Sequence, residues 1–337
     1  MKRAFQQLCL LFVAAEVLVV GQSADVNKVL AGVRAALGGD KVATMKTLAI
    51  EGKSTRSGPS NASMANDFEM AFEFPDKYMK KEVVANINGM TISRRSGFSG
   101  DDLIEETDMP PMMGGGGGNM RMMAMGPGAM PMGGKQTPEQ IAEQRKASLA
   151  ANRRDYARLV LGLTGTVPVS FPVEFSYAGQ AQAPDGKADI LELRGKDGFV
   201  AKFFVDQQSH LPLMLSWMDK EPLRMTVGGG PGVAGAGSSG GGGQVQTFTR
   251  SAGAPQDPAN LDKLQQEMAA RMKEAEAARK TVEFRLIYAD YKPFNGVQLP
   301  TRLQRMIDGF AVEELTLEQI KVNQKIDPKK FEVSAGK

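Results

Sequence analysis

The chain has 337 residues, 42% of them hydrophobic and 7% aromatic, so enough remains for one sizeable core after the glycine-rich runs are set aside. Its formal net charge is +3 and its basic residues are scattered, which argues against nucleic acid as a main partner. A single histidine and a single cysteine exclude a metal centre built from clustered histidine and cysteine ligands.

Residues 1–23 have the features of a cleavable signal peptide. Two basic residues precede an apolar run at 8–20, and small residues follow it. The run is too short for a transmembrane helix and is interrupted by Glu16. Cys9 lies inside the run, so we expect a mature chain with no cysteine and no lipid anchor. These features predict a periplasmic or secreted protein without a stable membrane anchor.

Hydrophobic periodicity predicts one helix and then antiparallel strands in the first third of the chain. Residues 25–39 have apolar residues at helical spacing and end on two glycines. The stretch 67–75, DFEMAFEFP, alternates apolar and acidic residues, as a half-buried antiparallel strand does. Its apolar face consists of Phe68, Met70, Phe72 and Phe74. Further strands are predicted at 48–55, 78–85 and 90–98, the last two joined by an Asn88-Gly89 hairpin turn.

An acidic cluster, GDDLIEETD at 100–108, follows these strands. Two of its carboxylates could serve glycoside hydrolysis, and several could hold calcium. The spacing and central glycine of an EF-hand loop are absent, however. We interpret the cluster as a solvated turn that ends a strand.

A methionine- and glycine-rich run at 109–134 holds nine of the 21 methionines and is the core of a predicted insertion at 107–136. Three interpretations stay open. The run of five glycines makes ordering entropically costly, which favours a disordered insertion. Flexible methionine side chains also make an adaptable apolar contact surface. Thioethers suit Cu(I), and the run resembles methionine-rich segments of periplasmic copper-handling proteins, although no histidine supports it.

The rest of the chain predicts two helices and a second series of strands. Thr137 is a good N-cap for a helix that runs to Leu163, with Pro138 at its first position. A second glycine-rich insertion, at 226–257, precedes another helix that starts at Asp257. Strands are predicted at 173–177, 189–194, 199–205, 211–218, 282–288, 299–307 and 310–322.

The order of these elements predicts an α+β fold with about ten antiparallel strands. There is no alternation of strand and helix, so a parallel doubly wound sheet is excluded. Several strands are apolar on both faces and need cover on both. We expect a large curved antiparallel sheet, a half-open barrel, with helices on its concave side and two glycine-rich disordered insertions. A single domain would span residues 24–335.

No catalytic apparatus is visible in the sequence. His210 lies in a polar stretch before Leu211-Pro212 and reads as an exposed turn residue. No serine sits in a nucleophile-elbow pattern, and neither glycine-rich run matches a phosphate-binding loop. We therefore predict a protein that is not an enzyme and that carries no cofactor.

Both ends of the chain carry motifs of a known family. An LGG helix end, TLAIEG and FPDKYMKK occur near the N-terminus. Near the C-terminus the chain contains DYKPFNGVQLPTRL and VNQKIDPKKF. In these motifs Asn295-Gly296 predicts a tight turn, and Phe331 is expected to dock on apolar surface. The C-terminal motifs resemble the end of the outer-membrane lipoprotein-sorting, LolA/LolB-like proteins. This resemblance implies a half-barrel closed by helices, whose apolar interior takes acyl chains or a lipid-modified protein.

The sequence favours a non-enzymatic binding or carrier protein for lipid acyl chains or lipoproteins. A copper(I)-handling protein and an envelope-assembly protein, which would meet envelope proteins through its insertions, remain the alternatives. Alternating apolar strands supply the candidate binding residues, although a packed core would have the same pattern. These candidates are Phe68, Met70, Phe72, Phe74, Leu213, Leu215, Trp217, Phe284, Leu286 and Tyr288.

Overall fold

A computed structural model of the chain describes residues 26–57, 63–87, 90–108, 137–183, 186–222, 224–228, 245–249, 270 and 273–333. The predicted signal peptide 1–23, the Asn88-Gly89 turn and the methionine-rich run 109–134 lie outside these ranges. So does most of the predicted helix after Asp257, although residues 273–278 are helical.

One large antiparallel sheet dominates the fold. Its strands are β1 Thr47–Ser57, β2 Ser63–Glu73, β3 Lys77–Ile87, β4 Met90–Ser99, β5 Asp102–Asp108, β6 Val173–Ala183, β7 Gly186–Gly195, β8 Val200–Asp206, β9 Pro212–Lys220, β12 Thr281–Phe294, β13 Val297–Ile307 and β14 Phe310–Val322. They follow the order β5-β4-β3-β2-β1-β14-β13-β12-β9-β8-β7-β6. The sheet is open, since β5 and β6 are its edges. The predicted antiparallel α+β architecture is therefore confirmed, with twelve strands in this sheet instead of about ten.

Two short strands flank the second glycine-rich run. They are β10 Arg224–Gly228 and β11 Val245–Thr249, and they pair in parallel as a separate two-stranded sheet. Both lie at or inside the predicted insertion 226–257, whose residues 229–244 are outside the described ranges.

The acidic segment is an edge strand, so its interpretation as a solvated turn was wrong. Strand β5 pairs with β4 along its whole length. Leu103 and Ile104 are both buried, and because neighbouring strand residues point to opposite faces, they anchor β5 on both sides of the sheet. Arg94 and Arg95 of β4 form ion pairs with Glu105 and Glu106, which compensates the negative charge.

Helices α1 Val26–Leu37, α2 Asp40–Ala43 and α3 Pro138–Thr164 accompany the sheet. The first and third confirm the predictions, whereas the short α2 was not predicted. Thr137 and Gln140 form a reciprocal capping box at the start of α3. The helix ends at Gly165, whose φ of 66° lies in the left-handed region that glycine tolerates best.

The two faces of the sheet have different neighbours. We call the face that packs against α1 and α3 the inner face, because its side chains share one core with those helices. The outer face has a small separate core, formed by Ala71, Met79 and Ile104 with Ile326 and Phe331 of the C-terminal segment. Phe331 is thus docked as predicted. Within the described ranges, no helix combines the length and apolarity needed to cross a membrane.

Candidate functional site

Most of the predicted binding residues meet in the inner-face core. Phe74 is half-buried against this core, and Leu213 is half-buried beside a register shift between β8 and β9. The fully packed members are Phe68, Met70, Phe72, Leu215, Trp217, Phe284, Leu286 and Tyr288. These side chains come from both halves of the sheet and face α1 and α3. The geometry therefore unites most candidates on one apolar surface.

Helix α3 packs on one half of this surface through Tyr156. The ring centroids of Phe98, Tyr78 and Phe72 lie 5.1, 5.4 and 6.1 Å from that of Tyr156. The Tyr156 hydroxyl donates a hydrogen bond of 2.9 Å to the carbonyl of Pro75. Burial raises the pKa of Tyr156 above its ordinary value, so the phenol stays neutral.

The middle of α3 approaches β12 very closely at Gly162. A Cβ atom at this position would lie 2.1 Å from ring carbons of Tyr288. The Tyr288 hydroxyl donates a buried hydrogen bond of 2.7 Å to the carbonyl of Arg158, one turn earlier in α3. Only a residue without a side chain permits this approach, so Gly162 sets the distance between helix and sheet.

Arg158 connects α3 to the other half of the sheet. Its guanidinium carbon lies 4.0 Å from the ring centroid of Trp217, which in turn stacks on Phe284 at 5.6 Å. Burial lowers the pKa of Arg158, and the adjacent carboxylate of Asp155 opposes that shift. Arg158 Nε and Trp217 Nε1 are both buried without a hydrogen-bond partner. The contact therefore holds α3 mainly by stacking, at the cost of two unsatisfied donors.

The inner face also carries a group of charges beside its apolar core. We call it the inner-face charge cluster, and it consists of Arg56, Lys80, Glu82, Arg305 and Glu313. Arg56 bridges the two carboxylates, at 2.7 Å from Glu82 and 2.9 Å from Glu313. Lys80 lies 2.8 Å from Glu82 and 3.7 Å from Glu313, and Arg305 lies 3.9 Å from Glu313.

Glu313 is the centre of this cluster. Its side chain is 9% exposed, and it also accepts a hydrogen bond of 3.1 Å from the Ser54 hydroxyl. Burial alone would raise the pKa of Glu313, but the positive charges of Lys80, Arg305 and Arg56 outweigh it and lower the pKa to about 2. The carboxylate therefore remains ionised at neutral pH. None of these five residues was predicted as a site residue.

The outer face has a polar groove of about 370 Å³. Acidic side chains dominate its lining: Glu51, Asp67, Glu69 and Glu318. Three of these carboxylates form ion pairs with Lys321, Lys53 and Lys330 respectively. Within the described ranges, no group of three or more histidine, cysteine, aspartate or glutamate side chains could hold a metal ion. The groove is a largely neutralised surface.

His210 occupies an exposed turn between β8 and β9, as predicted. Its backbone amide donates to the carbonyl of Asp206, and its φ is 58°. The imidazole lies against Gly32 of α1: a Cβ built on Gly32 would be 3.6 Å from the Cβ of His210. This residue therefore marks where α1 meets the turn between β8 and β9.

The solved structures that are similar to this chain include three proteins with high coverage. The first is a DUF1329 family protein from Desulfovibrio piger, with 12% identity, a TM-score of 0.45 and coverage of 92% of this chain and 98% of that one. A LolA superfamily protein from Nitrosomonas europaea has 11% identity, a TM-score of 0.43 and coverage of 93% and 98%. An outer membrane lipoprotein-sorting protein domain from Vibrio parahaemolyticus has 9% identity, a TM-score of 0.42 and coverage of 91% and 97%.

These structures include members of the group that the terminal motifs resemble. No family model and no curated protein sequence matches the chain.

Proposed function

We propose that the protein is a non-enzymatic binding or carrier protein, exported to the periplasm or secreted, that takes lipid acyl chains or lipoproteins against its inner face. The observation that carries this proposal is the apolar inner face itself. Its buried core side chains come from ten of the twelve sheet strands, β6 adds half-buried ones, and all are covered by α1 and α3. A ligand would reach this surface by displacing α3.

The free energy gained by burying an acyl chain is comparable with the free energy lost when the α3 side chains are exposed. Such an exchange is therefore feasible. Lifting α3 would expose Tyr156, Leu159, Val160, Leu161 and Leu163, which are all buried in the inner-face core. At roughly 1.5–3 kcal/mol for each side chain, this costs about 8–15 kcal/mol. Burial of a sixteen-carbon chain contributes roughly 0.8 kcal/mol per methylene, or about 12 kcal/mol in total. An acyl chain can therefore replace the helix contacts without any covalent chemistry.

The single tryptophan provides a direct assay. Trp217 lies in the contact between α3 and the sheet, where it is 7% exposed. We expect its fluorescence to change when sixteen-carbon amphiphiles are titrated into the protein. Native mass spectrometry of protein from the exported fraction should show bound lipid. An unchanged fluorescence together with a ligand-free mass would contradict the proposal.

An engineered disulfide tests whether the helices must move. Gly32→Cys with His210→Cys places the two Cβ atoms about 3.6 Å apart, within the range of natural disulfides. Because α1 also touches the end of α3 at Gly165, this bond fixes α1 and restrains α3 through that contact. In a Cys9→Ser background, the oxidised protein should take up less acyl ligand than the reduced protein. Equal uptake by both forms would show that uptake does not require α1 to move.

A further inference from the structure

The inner-face charge cluster lies directly beside the apolar part of the inner face. Residues that are two positions apart along a strand lie on the same face of the sheet. Tyr78 precedes Lys80 in this way on β3, and Leu303 precedes Arg305 on β13. Tyr78 and Leu303 are both buried in the inner-face core. A chain lying on that core would therefore end about 7 Å from the charges, the distance between successive rows.

The cluster has more cations than anions. Three positive charges, on Arg56, Lys80 and Arg305, face two carboxylates, so the net charge is +1. The two guanidinium groups and the ammonium group carry more N–H donors than the two carboxylates can accept. Within the part of the chain that the structure describes, the ion pair of Arg305 with Glu313 is long, at 3.9 Å. The cluster retains capacity for another acceptor.

The two arginines are also the accessible part of the cluster. The side chains of Arg56 and Arg305 are each 43% exposed, whereas those of Lys80, Glu82 and Glu313 are 15%, 14% and 9% exposed. A group that approaches from solvent meets the two guanidinium groups before it meets the carboxylates. Guanidinium groups bind carboxylate and phosphate through paired, charge-assisted hydrogen bonds.

We propose that the inner-face charge cluster binds the anionic head, a carboxylate or a phosphate, of an amphiphile whose acyl chain lies on the inner face. Arg56 and Arg305 contact the head, and Glu313 positions the Arg56 guanidinium by two hydrogen bonds from the buried side. This inference rests on the proposed function and adds the chemical class of the ligand. A simple apolar core would require none of these charges.

The test compares ligands that differ only at the head. Dodecanoate, dodecyl phosphate and the neutral, isosteric dodecanamide are titrated into the full chain below their aggregation concentrations, and inorganic phosphate is titrated alone. Isothermal titration calorimetry gives the dissociation constants.

The variant is Arg305→Gln, and its matched control is Arg285→Gln. The control removes the same charge from the outer face, where Arg285 pairs with Glu283. Unfolding in urea, followed by Trp217 fluorescence, checks that both variants are folded.

We expect the wild type to bind dodecanoate and dodecyl phosphate at least tenfold more tightly than dodecanamide. The free energy of one charge-assisted hydrogen bond to the head is enough to give this difference in affinity. Arg305→Gln should abolish most of this preference and leave dodecanamide binding unchanged, while Arg285→Gln should change neither.

The other outcomes separate the two proposals. Equal affinity for dodecanoate, dodecyl phosphate and dodecanamide would overturn the role of the charge cluster and leave the proposed function intact. No binding of any chain would contradict the proposed function itself. Binding of inorganic phosphate as tight as that of dodecyl phosphate would overturn the assignment to an amphiphile.

Discussion

Gly162→Ala is the sharpest test of how α3 is held on the sheet. The new Cβ would lie 2.1 Å from ring carbons of Tyr288, far below any normal carbon–carbon contact. Tyr288 is 2% exposed, so its ring has no free space to enter. The helix must therefore move away from β12, and the hydrogen bond from the Tyr288 hydroxyl to Arg158 breaks.

The expected loss of stability follows from three contributions. Overpacking costs about 1–3 kcal/mol, and a buried hydroxyl left without a partner costs about 1–3 kcal/mol more. Alanine is a better helix former than glycine, which returns about 1 kcal/mol. The net effect is a decrease of about 1–5 kcal/mol in the free energy of unfolding.

The assay is urea unfolding followed by Trp217 fluorescence, with two controls. Gly32→Ala adds the same methyl group to α1, where its nearest neighbour is the exposed side chain of His210, at 3.2 Å. This control should be neutral or slightly stabilising. In a Tyr288→Ala background the ring is absent, so Gly162→Ala should stabilise by about 1 kcal/mol. A destabilisation of the same size in that background would refute the explanation by close approach.

Other substitutions test the charge cluster and the predicted binding face. Glu313→Gln should cost about 3 kcal/mol at neutral pH, because the pKa of Glu313 is lowered from 4.5 to about 2. A lowered pKa stabilises the fold above pH 4.5, so the difference between wild type and variant should vanish as the pH falls from 4.5 towards 2. A constant difference in urea unfolding across that window would contradict the pKa shift. Leu215→Ala should cost about 2–5 kcal/mol, because Leu215 is fully buried. Leu213→Ala, at a half-buried position beside a register shift, should cost less than about half as much.

Local patterns were sufficient to predict the elements that depend on neighbouring residues. The alternation at 67–75 placed Phe68, Met70 and Phe72 on one face of β2, and all three are buried there. The Asn295-Gly296 pair predicted a tight turn, and both residues have positive φ, 50° and 79°. In these cases the physical cause lies within a few residues of the chain.

The charge cluster could not be predicted in the same way, because its partners are distant in sequence. Arg56 binds Glu313 across 257 residues, and this contact exists only because β1 pairs with β14. Lys80 and Glu82 look like ordinary surface charges in KYMKKEVV until β3 is placed in the sheet. The acidic segment was misinterpreted for a different reason. Arg94 and Arg95 lie only 11 residues before their partners Glu105 and Glu106, but the charges look solvated until β4 and β5 are paired.

The ionisable groups of the inner face make its binding properties insensitive to pH. Burial raises the pKa values of Tyr78 and Tyr288, so these phenols stay neutral in alkaline solution. Glu313 stays ionised because its pKa is about 2. The affinity for a permanently charged head, such as a dodecyl sulfate, should therefore be constant between about pH 5 and about pH 9. Calorimetric titration at several pH values checks this, and a tenfold change within that range would show that another titrating group controls the site.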